Sequence, residues 1–439
     1  MSEIRTLLEN VQRQVDARPG SLERVLERHH RKQRNNRIAA GAVAVVVAAA
    51  AFSVAGRALR FGERPNLFSV APVISATNVS ELGPALSIRT SGVGSSSPVV
   101  VDGVLYATSI DGKLLAFDVR TGAVRWVGRT GAGILSEPEV TAQRVYVHGG
   151  GTLYAFDVAC GTDGTACAPE WTARTGSEGP SPPAASRGIV YVTSDNGSLL
   201  AFEEACGSEG ETCEPTWSAR NDGHLAVAPV VADGFVWDTS SQALAAFPVS
   251  CASGPGGCEP LVRDVRPDGA QLSSGPAVQG GIVYVGASDG TLYAIPATCA
   301  TEGRCDPLWT GRTEAAIVDT PIVHGDRVYV GSNDGRLYAF PAACGTEGAP
   351  CDPLWVGHVS GAIDERLVTA NGVVYAASTD GNLHAFPEMC GSAGDRCAPL
   401  LVLDVGSLPA PPTVWANKVI FETSAEGALV AYAVGGSGA

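Results

Sequence analysis

Charged side chains are scarce in this sequence: Asp, Glu, Lys and Arg make up 17% of its 439 residues, and lysine occurs only as Lys32, Lys113 and Lys418. Gly (53) and Pro (28) are abundant instead, a balance that favours short strands joined by tight turns. From Pro65 onward there are about 18 basic against 39 acidic residues, a net charge near -21. A region so acidic repels phosphate backbones, which argues against nucleic-acid binding. The seven histidines are scattered, with no pair at metal-binding spacing on one helix.

Long apolar runs are equally rare, with one exception. Ile38 to Gly56 is 19 residues without a charge, enough to cross a bilayer as a helix. Arg31, Lys32, Arg34 and Arg37 crowd its N-terminal end, so the positive-inside rule puts residues 1–37 in the cytoplasm and everything after Arg57 outside. Ser53-Val54-Ala55 could serve a signal peptidase, but more than 30 residues precede the run's core, too long an n-region for a cleaved signal. The tail is basic, with nine Lys/Arg against five Asp/Glu. Its Ile4, Leu7, Leu8, Val11 and Val15 recur at helical spacing, an apolar stripe that could meet a cytoplasmic partner or the inner leaflet.

The outer region repeats itself eight times at a period of about 40–47 residues, the range of propeller blades. The clearest copy runs Pro321-Ile322-Val323, Arg327-Val328-Tyr329-Val330, Asn333-Asp334-Gly335, Leu337-Tyr338-Ala339-Phe340 and Pro353-Leu354-Trp355. Other copies start at Pro98, Pro138, Pro183, Pro229, Pro276, Leu367 and Pro412. Each reads as four short antiparallel strands with an Asp-Gly-type turn between the second and third, as at Asp111-Gly112, Asp289-Gly290 and Asp380-Gly381. The fourth copy departs from the rule with Gln242-Ala243. The last copy stops after three strands, and the orphan segment Pro84–Thr90 matches Pro307–Thr313 in spacing. That segment is expected to complete the last blade and close the ring, removing its open edges. The expected fold is all-β, an eight-bladed propeller over 84–434, preceded by a tail (1–37), a transmembrane helix (38–56) and a linker (57–83), and followed by a disordered end (435–439).

The segments Val101-Asp102-Gly103-Val104-Leu105-Tyr106, Asp111-Gly112-Lys113-Leu114-Leu115-Ala116-Phe117-Asp118 and Thr121-Gly122-Ala123-Val124-Arg125-Trp126 resemble the repeat of the pyrroloquinoline-quinone propeller family. The resemblance covers nearly the whole outer region. It implies that Trp126, Trp171, Trp217, Trp309 and Trp355 pack between neighbouring blades, with Val262 and Leu401 at the matching places of blades four and seven. Tail and anchor look like those of membrane-tethered regulators of high-GC Gram-positive bacteria.

All 12 cysteines fall in the outer region as six local pairs: Cys160/Cys167, Cys206/Cys213, Cys251/Cys258, Cys299/Cys305, Cys344/Cys351 and Cys390/Cys397. Each pair lies between a third and a fourth strand, where the base of an antiparallel hairpin brings two Cys within bridging distance. Six disulfides are expected, each pinning the outer strand of its own blade. Zinc is disfavoured because each hairpin offers two thiols and structural zinc takes four ligands.

Quinoprotein dehydrogenases of the resembling family carry an adjacent Cys-Cys disulfide against the quinone and a Glu/Asn/Asp calcium set with a catalytic Asp. This chain has no adjacent Cys pair and is too short for the enzymes' long inserted loops, so neither cofactor nor catalysis is expected. The variable loops between a fourth strand and the next first strand converge on the central channel. They carry Glu137, His224, Asp319, Asp364, Glu365 and Arg366 where other copies have Ser, Ala or Thr. Loops on a rigid scaffold are where recognition concentrates. The expected function is a ligand- or protein-binding or sensing module at the cell membrane, with an extracellular protein or envelope ligand as partner. A quinone-dependent oxidoreductase and an envelope assembly scaffold are the alternatives.

Overall fold

The computed structural model describes residues 73–89 and 96–434, apart from 135, 162–163, 177–180, 195, 209, 222–224, 226, 252–257, 264–269, 303–304, 346–347, 392–394, 407–410, 416–417 and 424–427. The expected tail, the membrane-spanning run, linker residues 57–72 and the end 435–439 lie outside the described residues. Among those described, no helix is long and apolar enough to cross a membrane.

Apart from a 3-10 turn at Val79–Glu81 and the short helix Cys299–Glu302, the regular structure of the described residues is all-β, as their alternating apolar, β-branched and aromatic residues require. The described strands form eight sheets, each built on four antiparallel strands. Sheet one is representative: Val99–Val101, Val104–Ser109, Lys113–Asp118 and Val124–Arg129 pair in order. The turn between its second and third strands holds Gly112 at φ +80°, and a Cβ there would meet the carbonyl oxygens of Ala132 and Thr130 at 3.0 and 3.1 Å. Glycine alone satisfies both demands. The inner strands (Val99–Val101, Glu139–Val140, Ala184–Ser186, Val230–Ala232, Ala277–Gln279, Ile322–His324, Val368–Ala370 and Thr413–Trp415) each touch the next, and the last touches the first. This arrangement is a propeller.

Closure takes the form expected from the orphan segment. Leu82–Arg89 pairs antiparallel with Ala428–Val434, completing the sheet that also holds Thr413–Trp415 and Lys418–Thr423. Leu86 opposes Ala431 in the register in which Trp309 opposes Ala294.

The seams between sheets follow one rule. Trp126 of sheet one lies between Tyr106 of its own sheet (6.0 Å between ring centres) and Phe156 of sheet two (6.2 Å), and its Nε1 donates to the Val158 carbonyl at 3.2 Å. The same trio recurs as Tyr146/Trp171/Phe202, Tyr191/Trp217/Phe247, Tyr284/Trp309/Phe340 and Tyr329/Trp355/Phe386. Two residues after the Trp only a small residue fits. A Cβ on Gly128, Gly311 or Gly357 would stand 2.8, 2.8 or 2.6 Å from the facing Phe ring. Sheet four breaks the rule at compensating places. Val262 occupies the Trp register opposite Ala246, Ile295 stands where other sheets have Phe, and Trp237 replaces the second-strand Tyr as the buried bulk of that seam.

All six disulfides form as expected, but four of the loops do more than staple their own blade. The second Cys ends a short fifth strand that pairs in parallel with the outer strand of the preceding sheet. Thr165–Cys167 lies along Trp126–Gly128, Glu211–Cys213 along Trp171–Ala173, Ala349–Cys351 along Trp309–Gly311, and Asp395–Cys397 along Trp355–Gly357. The expectation of a plain hairpin staple is corrected accordingly. A free outer edge offers unpaired backbone groups, and the loop of the next sheet is long enough to reach them.

Truncating one seam tryptophan removes contacts with two sheets at once. Trp355→Ala should lower the unfolding free energy by about 3–5 kcal/mol in urea titration. A loss under 1 kcal/mol would refute the wedge role.

Candidate functional site

In every sheet the first strand runs away from the interblade loop and the fourth returns toward it. One end of the ring therefore carries the interblade loops and the second-to-third-strand turns. The opposite end carries the cysteine loops and the entry of the chain at 73–81. Each interblade loop ends at the start of an inner strand, so its last residues crowd the axis. Directly before the inner strand's first proline or its equivalent stand Ser97, Glu137, Pro182, Ala228, Gly275, Thr320, Arg366 and Pro411.

Two of these eight are oppositely charged, and they meet. The Arg366 guanidinium donates to a Glu137 carboxylate oxygen. They belong to sheets seven and two, which are separated in the cyclic order by sheets eight and one, so the ion pair spans the channel mouth. The two side chains keep 49% and 23% exposure, so solvent screens the pair and its direct contribution to stability is small. Glu139, which the sequence reading missed, lies at the head of its inner strand and accepts the Ala185 backbone N–H at 3.1 Å.

Asp319 occupies a slot that other repeats fill with serine. There Ser136 accepts the His148 amide (2.9 Å) and Ser274 the Gly286 amide (2.7 Å). The Asp319 carboxyl is longer and turns toward the mouth, where Arg366, Glu137 and Asp364 are its electrostatic neighbours. Its Oδ2 is shielded from water and has no hydrogen-bond partner. Burial pushes the Asp319 carboxyl up to about 7, against the Thr320 amide and Arg366. Burial likewise pushes Glu365 up to about 7, helped by Asp364 and Asp319. Glu137 is also raised by burial, with Arg366 opposing, and Glu139 is raised for the same first cause. Arg366 is held more firmly protonated by Glu137.

The structure thus brings together five of the six loop residues expected to form a site, and His224 lies outside the described residues. Three carboxyl groups (Glu137, Glu139, Asp319) interact with one guanidinium, and Asp364 and Glu365 lie near Asp319, so carboxyl groups outnumber the cation. Such an arrangement can hold a further cation. Among the described residues it offers no nucleophile beside a base, and no group of three or more His, Cys, Asp or Glu is disposed to hold a metal. It does not fit a quinone either: all twelve cysteines are committed to loops at the opposite end, and the ion pair crosses the mouth. A cavity of about 230 Å³ lined by Arg144, Asp157 and Glu170 also lies at that opposite end, with Arg144 engaged by Glu170 at 2.6 Å.

A second buried acid was legible only by lining up the repeats. Asp238 occupies the second-strand slot held elsewhere by Ala107, Val147, Val192, Val285, Val330 and Ala376, at the seam between sheets three and four. It is 5% exposed. Asn221, in a slot held by Thr130, Thr175 and Thr313, donates to its Oδ2 at 3.0 Å and to its carbonyl at 3.2 Å, while Oδ1 has no partner. Burial pushes this carboxyl up to about 7, with Asn221 and the Thr239 amide opposing.

Comparison with known proteins agrees with this architecture. The sequence matches the family described as outer membrane protein assembly factor BamB over residues 73–166 and 236–435. No curated protein matches it. Among solved structures it is similar to BamB from Moraxella catarrhalis (16% identity, TM-score 0.61, covering 80% of this chain and 97% of that one). It is also similar to the computationally designed Ika8 protein (15%, 0.63, 80% and 100%). A third similar structure is the quinohemoprotein alcohol dehydrogenase ADHIIG from Pseudomonas putida HK5 (14%, 0.58, 83% and 78%). At these identities the likeness is one of fold.

The Asp238 carboxyl has a checkable consequence. Its folded pKa lies above its unfolded value, so the neutral form is favoured in the native state. The associated stability is complete below about pH 4 and is lost as pH rises through 7, on the order of 4 kcal/mol in all. Asp238→Asn should raise the melting temperature at pH 8.5 and leave it unchanged at pH 4. An equal gain at both pH values would show that ionisation is not the cause.

Proposed function

We propose, taking as premise that the chain belongs to the family described as outer membrane protein assembly factor BamB, that it is a protein-binding propeller held outside the cell membrane. Its eight sheets are read as eight blades, its anchor as Ile38–Gly56, and its recognition site as the channel mouth, which takes a cationic group of an extracellular or envelope partner. The observation that carries this reading is the ion pair across the mouth. Arg366 is itself a cation delivered to the axis by a loop. It satisfies Glu137 and leaves Asp319 Oδ2 unpaired near Asp364 and Glu365.

The chain enters the propeller at the end that carries the cysteine loops, opposite the mouth. The tail 1–37, basic and with an apolar stripe, is then free to contact a cytoplasmic protein, which would make the molecule a sensor. Without such a contact it is an assembly scaffold. Binding is favoured over catalysis because the described residues of the mouth supply charge and no nucleophile beside a base.

A short arginine peptide (acetyl-triarginine amide) serves as a probe of the site. Calorimetry should find that Asp319→Asn combined with Glu365→Gln weakens its binding about tenfold, roughly 1.4 kcal/mol. The charge-reducing pair Glu211→Gln and Glu214→Gln, flanking Cys213 at the opposite end, should have little effect. Affinity should rise between pH 6 and 8 as Asp319 and Glu365 ionise. Equal losses from both pairs would reduce the effect to overall charge and refute the site. Alcohol-dependent dye reduction after incubation with pyrroloquinoline quinone and calcium would overturn the non-enzymatic reading.

A further inference from the structure

The cysteine loops fall into two classes, and the classes are written in the sequence. Four loops read Cys-Gly-x-x-Gly-x-x-Cys, from Cys160, Cys206, Cys344 and Cys390. These are the four that lay a parallel strand on the preceding sheet. The remaining two lack the pattern. The loop closed by Cys251–Cys258 makes a single bridge, Cys258 to Ala219, and the loop closed by Cys299–Cys305 turns into the short helix Cys299–Glu302.

Five of the described glycines have a physical task. Gly161 sits where a Cβ would run into Thr165 Oγ1 at 2.0 Å, and Gly207 where it would meet Glu211 at 3.0 Å. Gly164, Gly210 and Gly348 adopt φ of +74°, +83° and +74°, conformations that L side chains avoid. That turn aims the glycine amide at the neighbouring sheet, where Gly164 donates to the Arg125 carbonyl (2.9 Å), Gly210 to Glu170 (2.7 Å) and Gly348 to Leu308 (2.9 Å). The Cys ending each fifth strand is buried: Cys167, Cys213, Cys351 and Cys397 are 4%, 4%, 4% and 1% exposed. Its disulfide partner follows the third strand of its own sheet.

We propose that these four loops are redox-sensitive latches between blades. In the oxidised state each disulfide closes the loop that holds a strand carried by one blade in backbone pairing with the outer edge of the blade before it. Reduction by a dithiol transfers two electrons and two protons to the bridge, giving two cysteine thiols while the dithiol closes to its own disulfide. The latch strand then loses its covalent hold, and the outer edge of the preceding blade is left open to pair with other strands. The molecule contains its own comparison. The outer strand of sheet eight (Leu82–Arg89) faces the tight turn at Thr121-Gly122. Beside the outer strand of sheet seven lies the turn 73–81, with Ile74, Val79 and Leu82 in its place. Neither carries a cysteine latch.

Hydrogen exchange on the full chain in detergent tests the assignment. In the double variant Cys160→Ala, Cys167→Ala, the amides of Trp126–Gly128, in the preceding blade, should exchange at least tenfold faster, while Trp171–Arg174 of the same blade and Leu401–Asp404 remain unchanged. Faster exchange confined to Trp171–Arg174, or no change, would establish a staple within the blade and overturn the proposal. Should that variant fail to fold, Gly348→Val keeps its disulfide and strains only the turn; it should expose Trp309–Gly311 selectively, and unchanged protection there would be equally fatal. Dithiothreitol added to the native chain should raise exchange in the four latched outer strands before Leu82–Arg89 responds. Simultaneous loss in all of them would reject a latch-specific response.

Discussion

A tryptophan at the start of the outer strand, wedged between a tyrosine of its own sheet and a phenylalanine of the next, is the contact on which this ring rests. A four-stranded sheet has two apolar faces and cannot bury either alone. The wedge solves this at the outer radius, where neighbouring sheets diverge and a large side chain is needed to fill the gap. At four seams its indole N–H finds a backbone carbonyl in the next sheet, so the wedge itself leaves no polar atom stranded there. The small residue two positions later is part of the same unit, because the phenylalanine ring takes the space of its missing side chain.

Radial packing has an opposite consequence at the axis. Inner strands are only two or three residues long and touch around the channel, so the loops that feed them deliver their last side chains into a confined mouth. Repeats with Ser there fill it with short groups that satisfy nearby amides. Where Glu137, Asp319, Glu365 and Arg366 replace such residues, charge accumulates in a place that is enclosed by protein yet still wet. The enclosure that raises the carboxyl pKa values is the same one that brings Arg366 against Glu137.

Much of this was legible before any coordinates. The period, the Asp-Gly turns, the seam tryptophans and the closing strand are local or repeated signals, and repetition turns eight weak strand patterns into one strong one. The disulfide pairs were legible for the same reason. The direction in which the loops reach was not, since a parallel pairing with residues about 40 positions earlier leaves no periodic trace; only the recurrent Gly-x-x-Gly between the cysteines hinted at it. At the mouth, Glu137 and Arg366 stood out as departures from the repeat. Their meeting depends on ring closure, which brings residues 229 positions apart to one axis. Asp238 and Asn221 escaped notice because each looks ordinary beside its chain neighbours and unusual only beside its counterparts in other repeats.

Those counterparts also explain why the irregularities cluster. At the seam between sheets four and five the wedge tryptophan is Val262, the facing phenylalanine is Ile295, and the cysteine loop that would latch it forms a helix. One seam is a single packing problem, so its elements change together. Once the indole is gone, the ring opposite it has nothing to stack on, and Trp237 supplies the missing volume from the second strand of sheet four. The helical loop fits the same logic, because a parallel latch strand lies against the tryptophan register in each of the four sheets that has one. At the other seam of sheet four, Asp238 and Asn221 replace an apolar residue and a threonine as a pair, each meaningless without the other. Substitutions in this propeller are therefore constrained seam by seam more than blade by blade, and a residue's tolerance to change follows from which seam it faces.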